Sequence, residues 1–202
     1  MTELIQGGVQ RYCYKQNGKH IIGKKITITD LKAIPAGYGG HIGVIPLCNV
    51  DDNIYHILCN IYWQKGEQHG NVIGNLGGGV KRDQKPYHAL YKELQEEVPA
   101  WHDILKSQIE HSDITIYSIE YLHITHHSLR YAITIFVNIT PFIKVMNDIF
   151  IPSREIKEVI AYCNIVEEVL TNDNINYGLR HYREYLLYGI ISSNAGSISS
   201  NA

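Results

Sequence analysis

Apolar and polar positions alternate along this chain in two rhythms, and the switches between them predict its elements. Residues 20–28, HIIGKKITI, have the β-branched content of a strand, and residues 35–40, PAGYGG, interrupt it as a loop. HIGVIPLCNV (41–50) and NIYHILCNIYW (53–63) are strand-like runs on either side of Asp51-Asp52, which predicts a β-hairpin. The polar stretch from Gln64 to Gly70 reads as a loop, and NVIGNL (71–76) as a short strand running into a glycine turn at Gly77-Gly78-Gly79. From Pro86 the rhythm turns helical. Tyr87, Leu90, Tyr91, Leu94 and Val98 form one apolar stripe, with Pro86 suited to the first turn and Pro99 to stopping the helix.

Beyond Pro99, WHDILKSQIE (101–110) predicts a short helix. ITIYSIEYLHI (114–124) and YAITIFVNIT (131–140) predict two strands joined around His126-His127-Ser128. NINYGLRHYREYLLYGII (174–191) reads as a final helix, with Tyr177, His181, Tyr185 and Tyr188 as a packing stripe. The first 20 residues contain Gly7-Gly8, Asn17 and Gly18 and predict an edge strand with a turn. Residues 192–202, SSNAGSISSNA, are small and polar enough for a flexible tail, leaving 1–191 as one domain.

Composition narrows the class. With 202 residues, 45% of them hydrophobic, the chain is long enough for one domain with a substantial core. A formal charge of −2 and 19% charged residues argue against a dominant nonspecific attraction to nucleic acid. Cys13, Cys48, Cys59 and Cys163 are scattered without a Cys-x-x-Cys pair, so neither a structural zinc site nor a disulfide framework is indicated. The first 20 residues lack the basic start and apolar run of a signal peptide, and no stretch has the length and apolarity of a bilayer span. A soluble, cytoplasmic protein with no membrane partner is the expectation.

The helix at 86–98 carries the candidate chemistry. At 100° per residue, Glu93, Glu96 and Glu97 fall within an arc of roughly 100° and about one turn. Three like charges that close call for a cation. A hard divalent ion takes oxygen ligands, and Mg²⁺ commonly combines a few carboxylates with substrate phosphates. An ordinary amphipathic helix with a solvated acidic face is the competing explanation. Asp51-Asp52-Asn53 does not begin a calcium loop, because the glycine and terminal glutamate of that pattern are missing. His123, His126 and His127 do not converge on one ion in an extended chain, where 123 and 127 share a face and 126 points away.

The stretch 78–100 resembles the signature of the Nudix hydrolases: Gly, five residues, Glu, seven residues, then Arg-Glu-apolar-x-Glu-Glu-x-Gly-apolar. Gly78 takes the glycine, and Glu93, Glu96 and Glu97 match three of the four acidic positions. Gln84 stands for the first Glu, Lys92 for the Arg, and Pro99 for the second Gly. In the family the first Glu and the Arg brace the loop against the helix; here an amide oxygen and an ammonium would replace them.

The resemblance implies an α/β fold, the Nudix-type α/β/α sandwich with a mixed central β-sheet. It implies Mg²⁺- or Mn²⁺-dependent hydrolysis of the pyrophosphate in a nucleoside diphosphate linked to another group. Gly78, Glu93, Glu96 and Glu97 would hold metal, the first through its backbone carbonyl. Glu96 or Glu97 would orient or deprotonate water, and Glu155 and Glu158, in the stretch 153–170 that resembles the one where many family members carry a carboxylate before a strand and short helix, are further candidates to contact metal or activate water, with Glu158 placed in the catalytic set. Lys81 and Arg82 would meet phosphates or face solvent. The small-molecule partner is a nucleotide diphosphate derivative. Capped RNA, for a decapping enzyme, and a nucleotide-binding module without turnover are the alternatives. Oligomeric state stays open, a homodimer included.

Overall fold

In the computed structural model, the residues described are 2–6, 9–16, 19–37, 39–65, 67–112, 114–123, 129–163, 171–176, 178–180 and 183. Three antiparallel strands open the chain: β1 (Thr2–Gln6), β2 (Val9–Gln16) and β3 (Lys19–Ile26). The strand expected over 20–28 ends at Ile26, because Thr27 caps a short helix, α1 (Ile28–Ala33). Thr27 Oγ1 accepts from the Asp30 backbone N–H, and the Asp30 carboxylate accepts from the Thr27 N–H.

The hairpin at Asp51-Asp52 forms as expected, between β4 (Gly39–Val50) and β5 (Asn53–Lys65). Asp51 and Asp52 both lie at positive φ, 47° and 62°, the twist that tight two-residue hairpin turns require. The loop expected over 64–70 is much shorter. β5 continues to Lys65 and pairs directly with β6 (Gln68–Gly74). After Asn75 the glycines are likewise not a turn but a strand, β7 (Leu76–Val80), paired with the first half of β4.

α2 (Pro86–Glu97) and α3 (His102–His111) follow, then β8 (Thr115–His123) and β9 (Leu129–Asn138). A 3₁₀ turn (Thr140–Phe142) and α4 (Ile143–Ile149), neither expected from the sequence, lead to β10 (Ile156–Tyr162). Residues 164–170 and most of the final helix, including Tyr177, His181, Tyr185 and Tyr188, lie outside the described residues, as do His126, His127 and the tail at 192–202. Within the stretch expected as that helix, Gly178–Arg180 and Arg183 are helical.

All ten strands join one open sheet, ordered β1-β2-β3-β8-β9-β4-β5-β10, with β7 added to β4 and β6 to β5. β4 and β9 run parallel and every other pairing of these strands is antiparallel, so the sheet is mixed. β4 pairs with β5 only through Leu47–Val50; beyond that the two strands separate, and the β6–Asn75–β7 segment fills the fork. Ile42, Val44, Ile133, Ile135, Leu90 and Leu94 belong to one buried cluster between the sheet and α1–α3. Alternation along the strands sends Ile45, Leu58 and Phe136 to the opposite face. Ile175 and Leu179, also fully buried, lie in the C-terminal segment, which bridges to β6 through Ile73 and meets β4 where Gly178 approaches His41. Helices thus flank the sheet, the α/β/α sandwich expected. Among the described residues no helix is long and apolar enough to cross a membrane.

Candidate active site

α2 starts and stops where its prolines direct. Pro86 occupies the first turn, after an extended Lys85, and Val98 leaves the helical region at φ −136° and ψ 63° ahead of Pro99. Leu90, Leu94 and Val98 are buried and seat the helix on β7 and β4, while Tyr87 and Tyr91 are partly buried at its near end. This seating also buries Glu97, one position from Val98, to 5% exposure.

The bare strand β7 is what admits that carboxylate. Gly77 has φ 129°, open to glycine alone, and a Cβ there would come within 2.5 Å of the Gly43 Cα. Its N–H is therefore free of side-chain cover and donates to Glu97 Oε2 at 2.6 Å. At Gly78 a Cβ would stand 2.6 Å from Glu93 Cδ, so the second carboxylate rests on the strand where the side chain is missing. Residues 93 and 97 are one turn apart, and both carboxylates face β7.

Acidic groups are concentrated here. Burial pushes the Glu97 carboxyl up to about 8; the Gly77 N–H opposes this, and the charges of Glu93, Glu155 and Glu96 add to it. Glu93 is also raised, first by burial, with Lys92 and Lys81 pulling it down and Glu96 and Glu155 pushing it up. Cys59 on β5 marks how close that strand comes: burial, then the Glu97 charge, push its thiol well up. Glu155 thus joins the acidic group from the turn before β10.

The other expected site residues are placed as follows. Glu96 is exposed and pairs with Lys92 at 2.9 Å on the outer side of α2. Lys92 therefore does not brace Gln84. The Gln84 amide oxygen instead accepts from the Lys81 backbone N–H at 3.4 Å, closing the turn ahead of α2. Glu158 accepts from Asn60 Nδ2 at 2.9 Å. Since Asn60 follows Cys59 on β5, alternation turns the Asn60–Glu158 pair to the face away from Glu97. Lys81 and Arg82 are exposed, and the Arg82 carbonyl accepts from Gly37 N–H at 2.6 Å, tying the turn to the loop after α1. Glu155 carried only a weak sequence signal, a carboxylate just ahead of a strand; its approach to α2 depends on the pairing of β10 with β5.

As these side chains stand, no three His, Cys, Asp or Glu among the described residues converge tightly enough to enclose a metal ion. The donor chemistry nonetheless fits a hard cation. Glu93 and Glu97 present oxygen ligands, and a bound cation would offset the burial that pushes the Glu97 carboxyl up. An octahedral Mg²⁺ typically takes one or two carboxylates and completes its shell with water and phosphate oxygens.

No protein-family model matches the chain, and no curated protein matches it. Solved structures do. A MutT/nudix family protein from Enterococcus faecalis is 16% identical over 62% of this chain and 43% of its own, with a TM-score of 0.39. A bifunctional NMN adenylyltransferase/ADP ribose pyrophosphatase from Francisella tularensis, complexed with AMP and a Mn ion, is 12% identical over 80% and 44%, with a TM-score of 0.44. The NUDIX domain of Shewanella oneidensis NrtR, complexed with ADP ribose, is 12% identical over 80% and 99%, with a TM-score of 0.41. The chain spans less than half the length of the Enterococcus and Francisella chains it matches.

Proposed function

We propose that this chain is a Nudix-type hydrolase that cleaves the pyrophosphate of a nucleoside diphosphate derivative with the help of Mg²⁺ or Mn²⁺. The observation that carries the reading is Glu97. A carboxylate buried to 5% exposure, next to two others and in no ion pair with the described residues, is costly in a purely structural helix. It is economical in a site that receives its positive charge from outside. The sequence signature at 78–100 supports the same reading independently of the fold.

Glu93 and Glu97 would hold the metal, with the backbone carbonyl of Gly78 as a further ligand and Glu96 at the solvent rim. When bound, a divalent ion neutralises phosphate oxygens and lowers the pKa of water at the site. Glu155 is the better candidate than Glu158 to accept the proton of the attacking water, because its charge acts on Glu93 and Glu97 whereas Glu158 is hydrogen-bonded to Asn60. As the water oxygen bonds to phosphorus, the P–O bond to the bridging oxygen breaks and the second phosphate leaves with that electron pair. Lys81, close enough to Glu93 to lower its pKa, can meet a phosphate oxygen from the turn, with Arg82 next to it. The Gly77 N–H holds Glu97 in place throughout.

The test is turnover of a panel comprising nucleoside triphosphates, sugar nucleotides, dinucleoside polyphosphates, capped RNA and inositol pyrophosphates, with chelator, Mg²⁺ or Mn²⁺. Hydrolysis to phosphomonoesters, read as phosphate freed by a coupled phosphatase, that stops with chelator and returns with metal is the expected outcome. Selective action on capped RNA would make the chain a decapping enzyme. Tight nucleotide binding without turnover of any compound would make it a binding module.

A further inference from the structure

Next to the acidic group lies a cavity of about 330 Å³ lined by Ile61, Tyr62, Trp63, Arg154 and Glu155. Glu155 belongs to both places, since its charge acts on Glu93 and Glu97. The walls are fixed by backbone bonds: Tyr62 N–H donates to the Glu155 carbonyl at 2.7 Å, and Ser153 closes the Arg154-Glu155 turn through its N–H to the Ile156 carbonyl at 2.9 Å. The Ser153 hydroxyl accepts from Ile156 N–H at 3.0 Å.

Trp63 is the unusual wall. It stands on β5 on the same side as Ile61 and Cys59, two and four residues back, and so on the side of Glu97. Across the ladder it faces Gly70, where an added Cβ would lie 3.2 Å from the indole Nε1. The indole is therefore laid over bare backbone, yet 40% of Trp63 remains exposed. An aromatic covering a cross-strand glycine is a known packing device. That device does not require a cationic side chain and an active-site carboxylate around the same cavity.

We propose that the Trp63 indole, with Arg154 beside it, is the platform on which the nucleobase of the substrate stacks while its diphosphate reaches Glu93 and Glu97. The proposal rests on the nucleotide reading above and narrows it to substrates with a planar heteroaromatic ring next to the cleaved diphosphate. The indole supplies the π-face and the guanidinium donates to acceptor atoms on the ring edge. Inositol pyrophosphates, which have no such ring, would have no use for the cavity.

The chain has two tryptophans, and they are distinguishable. Trp101 is fully buried, with its Nε1–H donating to the Met146 carbonyl at 2.7 Å, so ligand-induced quenching of the emission reports Trp63. The full chain is titrated with AMP, GMP, CMP and UMP, and with ribose 5-phosphate as the base-free control, by fluorescence and by calorimetry. At least one nucleotide is expected to bind with quenching and about tenfold more tightly than ribose 5-phosphate, near the lower end of what one base stack contributes. In Trp63→Ala that advantage should disappear. In Trp63→Phe, which keeps a ring over Gly70, calorimetric binding should persist while the quenching is lost, and this arm stands even where Trp63→Ala fails to fold. Equal binding of nucleotides and ribose 5-phosphate, quenching that survives in Trp63→Phe, or an undiminished base advantage in a folded Trp63→Ala would each overturn the platform. Base-dependent binding without turnover of any panel compound would overturn the hydrolase reading alone. Metal-dependent turnover with a KM indifferent to Trp63→Ala would overturn the platform alone.

Discussion

Glu97 has two roles in conflict, as a buried group that prefers to be neutral and as a proposed ligand that must be charged. Glu97→Gln separates them. The amide oxygen can still accept the Gly77 N–H, so the geometry of the junction should hold. Turnover should fall about a hundredfold or more, the scale on which removal of a charge-stabilising group at a reacting centre is felt. The metal-free protein, by contrast, should melt at a higher temperature at pH 7, because the variant no longer has to protonate or desolvate a carboxylate. Unchanged turnover together with an unchanged melting curve would overturn the assignment of Glu97 as a ligand. Lys92 is the counter-case at the same scale. Its partner is the exposed Glu96, four residues C-terminal, an arrangement weaker than the reverse order. Lys92→Ala should leave the melting temperature within the error of the measurement, whereas a brace to Gln84 would make it fall.

Among the elements, β7 decides the site. A strand of three consecutive glycines is a poor strand on propensity alone, and it persists because β4 pairs with it and α2 covers it. Two neighbouring glycines in it should respond differently to alanine. At Gly77 the backbone is at φ 129° and the new methyl meets backbone of β4, which cannot yield, so Gly77→Ala should cost well over 1 kcal/mol in a denaturant titration. At Gly78 the obstacle is the movable end of Glu93. Gly78→Ala should therefore retain more of the fold and lose chiefly metal response, read as the melting shift produced by Mn²⁺. An equal loss of stability in the two variants would mean that the strand, not the carboxylate contact, sets the requirement.

For the whole molecule, pH and the proposed metal would act through the same proton. The folded Glu97 titrates near 8 and the unfolded one near 4.5, so the folded state binds the extra proton between these values. Its contribution is fully present below 4.5 and is lost as pH rises through 8. Two histidines oppose it at lower pH. Burial lowers His41 and His56 from 6.5 to about 4, so their contribution is present above 6.5 and is lost as pH falls through 4. The window from about 6.5 to 8 therefore isolates Glu97. In chelator, stability should decline there by about 2 kcal/mol at most, at up to about 1.4 kcal/mol per pH unit for one proton, and Glu97→Gln should flatten the decline. Added Mg²⁺ or Mn²⁺ should stabilise the wild type increasingly as pH rises, since the cation displaces the proton; saturation a hundredfold above its dissociation constant corresponds to about 2.7 kcal/mol. A metal response independent of pH would contradict this coupling.

How much of this was legible in the chain follows from the range of the forces involved. Periods of two and 3.6, the prolines around α2 and the Asp51-Asp52 turn are local, and they determined the central hairpin, α2, α3 and the β8–β9 pair from the sequence alone. The capping pair Thr27–Asp30 was equally local, and it was the available signal for α1. The glycine run was legible as a place of close approach but not as a strand, because glycine carries no strand preference and only the pairing with β4 supplies one. The acidic helix was legible as a candidate site, since spacing puts 93, 96 and 97 on one side. Which of these carboxylates is buried was not: the roughly 60° and 100° separating Glu96 from Glu93 and Glu97 become decisive only when α2 is seated on β7, with one carboxylate left paired to Lys92 and two turned to bare backbone. The sequence likewise offered Glu155 and Glu158 on nearly equal terms. Only the pairing of β10 with β5, which binds Glu158 to Asn60 on one face and brings Glu155 into the field of Glu97, distinguished them, because contacts made by residues 58 to 98 positions apart in the chain leave no period to read.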